Sequence, residues 1–136
     1  MCIKGYISEK NPLAKLIEDP YAFGILKPEV DFKVELMESD IENKYLLFKR
    51  RFNSSIGYVL IFYINKITVE TLRKLYEVYK TYCRRYSNYN FREFDLIVIA
   101  SNIEEEALEI IKEYNEKYIR RRPITVIINK IEIKEE

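Results

Sequence analysis

Three runs in the second half of the chain are apolar at almost every position: Gly57–Ile64, Phe94–Ala100 and Pro123–Ile128. A strand with one wet face alternates apolar and polar residues, so continuous runs of this length predict strands buried on both faces. Between them the period changes. Leu72, Leu75, Tyr76, Tyr79, Tyr82, Cys83 and Tyr86 recur at helical spacing and predict a helix from an N-cap at Thr68 to about Tyr86. Ser101-Asn-Ile-Glu104 reads as a capping box, with Glu105 and Glu106 completing an acidic first turn. The buried stripe that follows is Ala107, Leu108, Ile111, Tyr114 and Tyr118. The second half thus predicts strand–helix–strand–helix–strand, the connectivity of a parallel sheet.

The first half is patterned differently. Asn11 as N-cap, Pro12 at the first helical position and Pro20 beyond the end define a short helix. Asp31–Leu36 alternates strictly and predicts a strand with one wet face, and Tyr45–Phe48 predicts a second, short one. The polar link Glu38–Lys44 reads as their hairpin loop, and Asn53–Ser55 as a second tight connection. The expectation is one α/β domain over residues 1–136, an antiparallel meander followed by β-α-β-α-β, with a mixed sheet flanked by helices. Within it, residues 1–30 form the N-terminal helix and loops, 31–129 the core and 130–136 a tail. Lys130–Lys134 alternates, so it is expected to project as a half-exposed edge strand able to pair with a partner or a second copy.

A chain of 136 residues buries roughly 65–70% of its unfolded surface, enough for one core. A net charge of +1 gives no global polyanion signal, so affinity for nucleic acid has to come from local patches. No apolar run approaches a membrane span and the N-terminus lacks a signal-peptide core, which makes a cytoplasmic protein without membrane contact the expectation. The chain has no His, which excludes Ser-His-Asp and Cys-His nucleophiles and His-ligated metals. Cys2 and Cys83 form no ligand pair, and Gly5, Gly24 and Gly57 cannot write a phosphate-binding glycine loop. No catalytic residue, metal ligand or cofactor is assigned. Abundant Lys, Glu, Ile and Tyr without Gln or Trp fit a thermophile or an AT-rich genome, hence an archaeal or viral source.

Connectivity sorts the charges. Each parallel strand is preceded by a basic cluster: Lys49-Arg50-Arg51, Arg84-Arg85 and Arg120-Arg121-Arg122. All eight side chains are therefore expected at the amino-terminal edge of the sheet, with Phe52, Tyr86, Tyr89 and Phe91 near them to stack bases. The alternative account is that arginines at helix C-termini answer the macrodipole, which covers two clusters and not Lys49–Arg51. Glu38, Asp40, Glu42, Glu70 and Glu104–Glu106 are expected at the opposite edge, as solvated residues or as a Mg2+ or Mn2+ site. Asp95, at the mouth of a buried strand, is expected to pair with an arginine, and Cys83 to serve as a small core residue.

The order helix, three-stranded meander, helix, strand, helix, strand resembles the core of the PD-(D/E)XK, or restriction-endonuclease-like, nuclease superfamily. Tyr58–Lys66, Thr68–Tyr76 and Phe94–Ser101 are similar in layout to that family's third strand, helix and fourth strand. The resemblance implies an acid on one strand and Glu-x-Lys on the next, the acids holding Mg2+ and the lysine orienting water. The matching strand here carries Ile61-Phe-Tyr63 and no acid, with Asn65-Lys66 at its end. Asp31 or Glu35 is the candidate first acid and Glu70 a migrated second. The leading reading is a non-enzymatic accessory or scaffold protein that binds nucleic acid, or a partner that handles it, through the basic edge. The alternatives are a divergent Mg2+-dependent nuclease and a protein-interaction or homodimerisation module.

Overall fold

The computed structural model describes residues 2–7, 10–40, 44–52, 55–86, 94–117 and 124–129. Its strands are β1 (Cys2–Ile7), β2 (Phe32–Asp40), β3 (Tyr45–Phe52), β4 (Ser55–Ile67), β5 (Phe94–Ile103) and β6 (Thr125–Asn129). They form one sheet in the order β1-β6-β5-β4-β3-β2. Pairing is parallel from β1 through β4 and antiparallel from β4 to β2. The helices are α1 (Pro12–Glu18), α2 (Val69–Tyr86) and α3 (Glu105–Lys117). The expected meander and β-α-β-α-β unit are both present.

Each parallel crossover is a helix, and successive crossovers step the same way across the sheet, so α2 and α3 lie on one face. Under them Leu72, Leu75, Tyr79 and Ile111 pack on Leu47, Leu60, Leu96, Val98 and Val126. On the other face Leu13 and Leu16 of α1 pack with Leu26 on Leu46, Phe48, Val59, Ile61 and Ile99. Both faces being covered, the central strands are continuously apolar, and each fully buried Leu, Ile or Phe contributes about 1.5–3 kcal/mol. The caps follow the sequence in two helices. The Asn11 side chain accepts from the Ala14 N–H at 3.3 Å. Thr68 and Thr71 cap reciprocally, each hydroxyl accepting from the other's N–H at 3.1 and 2.7 Å.

Three elements depart from the sequence reading. Cys2–Ile7, within the stretch expected to be helix and loops, is a strand parallel to β6, so β1 and β2 are the sheet's edges. The tail 130–136 lies outside the described residues. The region read as a polar hairpin loop from Glu38 is strand as far as Asp40, because cross-strand pairing continues from Glu38 with Leu47 to Asp40 with Tyr45. The Ser101 capping box does not form: β5 stays paired with β4 until Ile103 meets Ile67. Glu104 then closes the junction, its N–H bonding the Ile67 carbonyl at 2.8 Å and its carbonyl accepting from Leu108 at 2.9 Å. No helix among the described residues is long and apolar enough to cross a membrane.

Candidate nucleic-acid interface

Strand register places the described basic residues at one edge of the sheet. Lys49, Arg50 and Arg51 stand opposite Tyr58, Gly57 and Ile56 at the start of β4, and Tyr58 is opposite Phe94 at the start of β5. Arg84 and Arg85 end α2, which returns the chain to the same edge, and both are exposed. Arg120, Arg121 and Arg122 lie outside the described residues, as do the side chains of Phe52, Tyr89 and Phe91.

Period-two alternation splits the first cluster. Arg50 shares the face of Leu46 and Phe48 and is buried, not part of the basic surface. Its guanidinium holds two carboxylates: Nη1 donates to Asp31 Oδ1 at 3.0 Å and Nη2 to Asp95 Oδ2. The arginine and Asp31 side chains are only 10% and 5% exposed. Asp31 is fixed further by the Lys27 N–H, which donates to its Oδ2 at 2.7 Å, and its carbonyl accepts from the Tyr21 hydroxyl at 3.3 Å. To reach Asp95 on β5, Arg50 must cross β4, and directly opposite it there is Gly57, which has no side chain to block the path. One buried and one part-buried carboxylate around a buried arginine are a structural ion cluster. The expected arginine partner of Asp95 is thereby identified, and Arg50 is withdrawn from the nucleic-acid-binding set.

Lys49 and Arg51 point to the α2 face. They belong to two cross-strand rows. One holds Glu35, Lys49 and Tyr58, the other Phe32, Arg51 and Ile56. A bulge at Lys33, whose φ is 48°, makes the second row possible by letting Phe32 and Glu35, three apart, face Arg51 and Lys49, two apart. The first row meets the end of α2, where the Tyr58 and Tyr86 rings are 5.0 Å apart. Beyond it the second row is open: Phe32 is 48% and Ile56 41% exposed, and Arg51 is exposed.

Glu38, expected at the acidic edge, is on this face instead. Its carboxylate lies 3.8 Å from Arg85 and accepts from the Tyr86 hydroxyl at 3.3 Å. The strand extension to Asp40 is what brings it under the C-terminus of α2. Above it Arg85 covers the Tyr82 ring at 5.3 Å. Burial, together with the Tyr45 hydroxyl 3.0 Å away, pushes the Tyr82 phenol well above the ordinary tyrosine range. Burial does the same for Tyr79, which donates to the Phe94 carbonyl at 2.8 Å and lies against Cys83. The tyrosine stripe is therefore mostly core, held in register by its hydroxyls.

At the opposite edge the acids do not converge. Glu70 is exposed and pairs with Lys74 at 3.5 Å, and Glu105 and Glu106 sit in the first turn of α3. Glu42 lies outside the described residues. Asp31, Glu35 and Glu70 are apart: Asp31 is buried on the α1 face, Glu35 is exposed on the α2 face of an edge strand, and Glu70 opens α2 at the far end. Among the described residues no three His, Cys, Asp or Glu side chains are placed to hold a metal. A cavity of about 450 Å3 does open at the end of β4, but among its described lining residues Asp40 is the one acid, beside Lys10 and Lys44. Among the described residues, β3 and β4, the strands that would carry the family's acids, contain no Asp or Glu.

No protein-family model and no curated protein matches this chain. Among solved structures, EndoMS in its apo form, a PD-(D/E)XK-type nuclease, matches with a TM-score of 0.51 at 12% identity. The match covers 93% of this chain and 48% of that one, so the chain spans about half the length of EndoMS. The likeness is one of fold.

Phe32 and Ile56 are the site residues that sequence reasoning missed. Ile56 was legible as the apolar residue just before the Gly57 run. Phe32 was hidden, because strict alternation assigns it the face of Val34, and only the bulge at Lys33 moves it.

Proposed function

We propose that this chain is a non-enzymatic accessory protein that binds nucleic acid through the amino-terminal edge of its sheet. The observation that carries the reading is a replacement. In the fold it resembles, β3 and β4 would hold the acid and the Glu-x-Lys; here β3 carries the half-buried Lys49 and the exposed Arg51, and neither strand has an acid. Arg84 and Arg85 extend the positive surface. Lysine and arginine engage phosphates without reading sequence, so the affinity is expected to be general and salt-dependent.

Fluorescence anisotropy with labelled oligonucleotides across a salt series tests this. If Lys49, Arg51, Arg84 and Arg85 each neutralise a phosphate, log K falls against log salt with a slope of about −3 to −4. Lys49→Glu with Arg51→Glu, both at exposed or half-exposed positions, should abolish most binding while leaving the thermal melt in place. Binding that ignores both salt and these charge reversals overturns the reading. The fold likeness favours one competitor, a metal-dependent nuclease. Mn2+-dependent cleavage lost on Glu35→Ala or Glu70→Ala, neither of which is buried, would establish that competitor in place of an accessory protein.

A further inference from the structure

We infer that the nucleic acid this edge accepts is single-stranded, its bases resting on the open row Phe32–Arg51–Ile56. The inference rests on the nucleic-acid reading above and goes beyond it to the form of the ligand. Adjacent strands lie about 4.8 Å apart, so the row is a band roughly 10 Å wide, with an aromatic ring at the rim, a guanidinium in the middle and an aliphatic side chain inside. Exposed large apolar side chains beside phosphate-binding charges have no use in contacting a duplex backbone, which offers only sugars and phosphates there. They suit unpaired bases, whose faces stack on aromatic rings irrespective of sequence.

The surroundings agree. α2 covers the sheet only as far as the Tyr58 row, where Tyr86 closes on Tyr58, and the next row lies beyond its end. Lys49 stands in the covered row and Arg51 in the open one, so positive charge follows the boundary between them on the side toward Arg84 and Arg85. Glu35 and Glu38 border the same strip, and Glu38 is engaged by Arg85. A strand tracking this boundary has cations along its backbone and Phe32 and Ile56 for its bases.

The test compares a labelled oligo-dT, the same length with abasic sites, and a duplex of equal length, each against the intact protein and Phe32→Ala. The expected result is tighter binding of oligo-dT than of duplex, with Phe32→Ala weakening oligo-dT by about 5- to 100-fold and duplex hardly at all. Phe32→Tyr keeps the ring and should restore affinity. Abasic sites should mimic Phe32→Ala on the nucleic-acid side. Phe32 is half exposed, so the variants should fold, and circular dichroism checks that they do. Duplex binding as tight as oligo-dT and indifferent to Phe32→Ala overturns the single-strand inference and leaves the proposed function standing. No binding of either form overturns both. A dimer in light scattering that Phe32→Ala dissociates, without nucleic-acid binding, also overturns it and identifies the row as a self-association surface.

Discussion

Arg50 sits in the middle of a basic cluster and is expected to make no contact with a ligand while contributing a great deal to stability. Arg50→Met keeps the volume of the aliphatic stem but leaves Asp31 and Asp95 facing each other, with the arginine that bridged them gone. Removing one partner of a buried ion pair costs about 3–5 kcal/mol, because the buried charge it leaves, here that of Asp31, loses its counter-ion. For a chain of this length that lowers the melting temperature by about 10–18 °C. Urea unfolding followed by circular dichroism measures the loss directly. The cause is checked by the triple variant Arg50→Met, Asp31→Asn, Asp95→Asn. With all three charges of the cluster removed, it should recover most of the lost stability, since buried ion clusters are commonly no better than neutral replacements. A loss below about 1 kcal/mol in the single variant, or a triple variant no better than the single, would refute the buried-cluster account. In oligonucleotide binding, measured where Arg50→Met is folded, the salt slope should be unchanged; a slope lower by about one contact would return Arg50 to the binding surface.

Gly57→Val places a branched side chain where Arg50 crosses β4 and should destabilise by about 1–3 kcal/mol or more in urea, whereas the same change combined with Arg50→Met should cost less than the sum of the two. Asn115 clamps α3 to the start of β6, its amide donating to the Ile124 carbonyl at 3.2 Å and accepting from the Ile124 N–H at 2.9 Å, so Asn115→Ala strands two backbone groups and should cost about 2–3 kcal/mol. Tyr79 and Tyr82 have phenol pKa values raised above the ordinary 10.0, which means the folded state holds their protons more tightly than the unfolded chain. Their contribution is complete below that ordinary value and is lost as pH climbs above it, so thermal melts at pH 9 and 11 should fall, and Tyr79→Phe with Tyr82→Phe should flatten the fall.

The helices and buried strands were legible because their periods are long and uninterrupted: Leu72 to Cys83 reads as one helical stripe and Val98 to Ala100 as a strand wet on neither face. β1 was not legible. Cys2–Ile7 is short and contains Gly5, and its strand character comes from parallel pairing with β6, a partner far away in sequence. The Ser101 box failed for the same kind of reason, since pairing of Asn102 with Lys66 and Ile103 with Ile67 offers the backbone more than one cap does. At the site, alternation separates Arg50 from Lys49 and Arg51, but Leu47 is as buried as Leu46 and Phe48, so it does not say which face is covered at this edge. Phe32 could not have been found that way, because a single bulged residue reverses the face of everything before it.

The buried cluster and the open row belong to the same edge, which would link stability to the proposed binding. Arg50 ties β3 to β5 across β4 and, through Asp31, to the residue just before Phe32. The position of Phe32 relative to Arg51 is thus set from below by an ion cluster on the opposite face of the sheet, while the bulge at Lys33 turns the ring outward. A surface meant only for diffuse phosphate attraction has no need of so fixed a first residue in β2. A stacking ring has, because its contribution depends on lying flat against a base at a set distance from the neighbouring charge. Asp31 and Asp95, the two carboxylates near the amino-terminal edge, are engaged by Arg50. Arg50→Met should then loosen oligo-dT binding without altering its salt slope, by misplacing Phe32 while leaving every phosphate contact intact. A change in slope without a change in stacking would show that the two faces of the edge act independently.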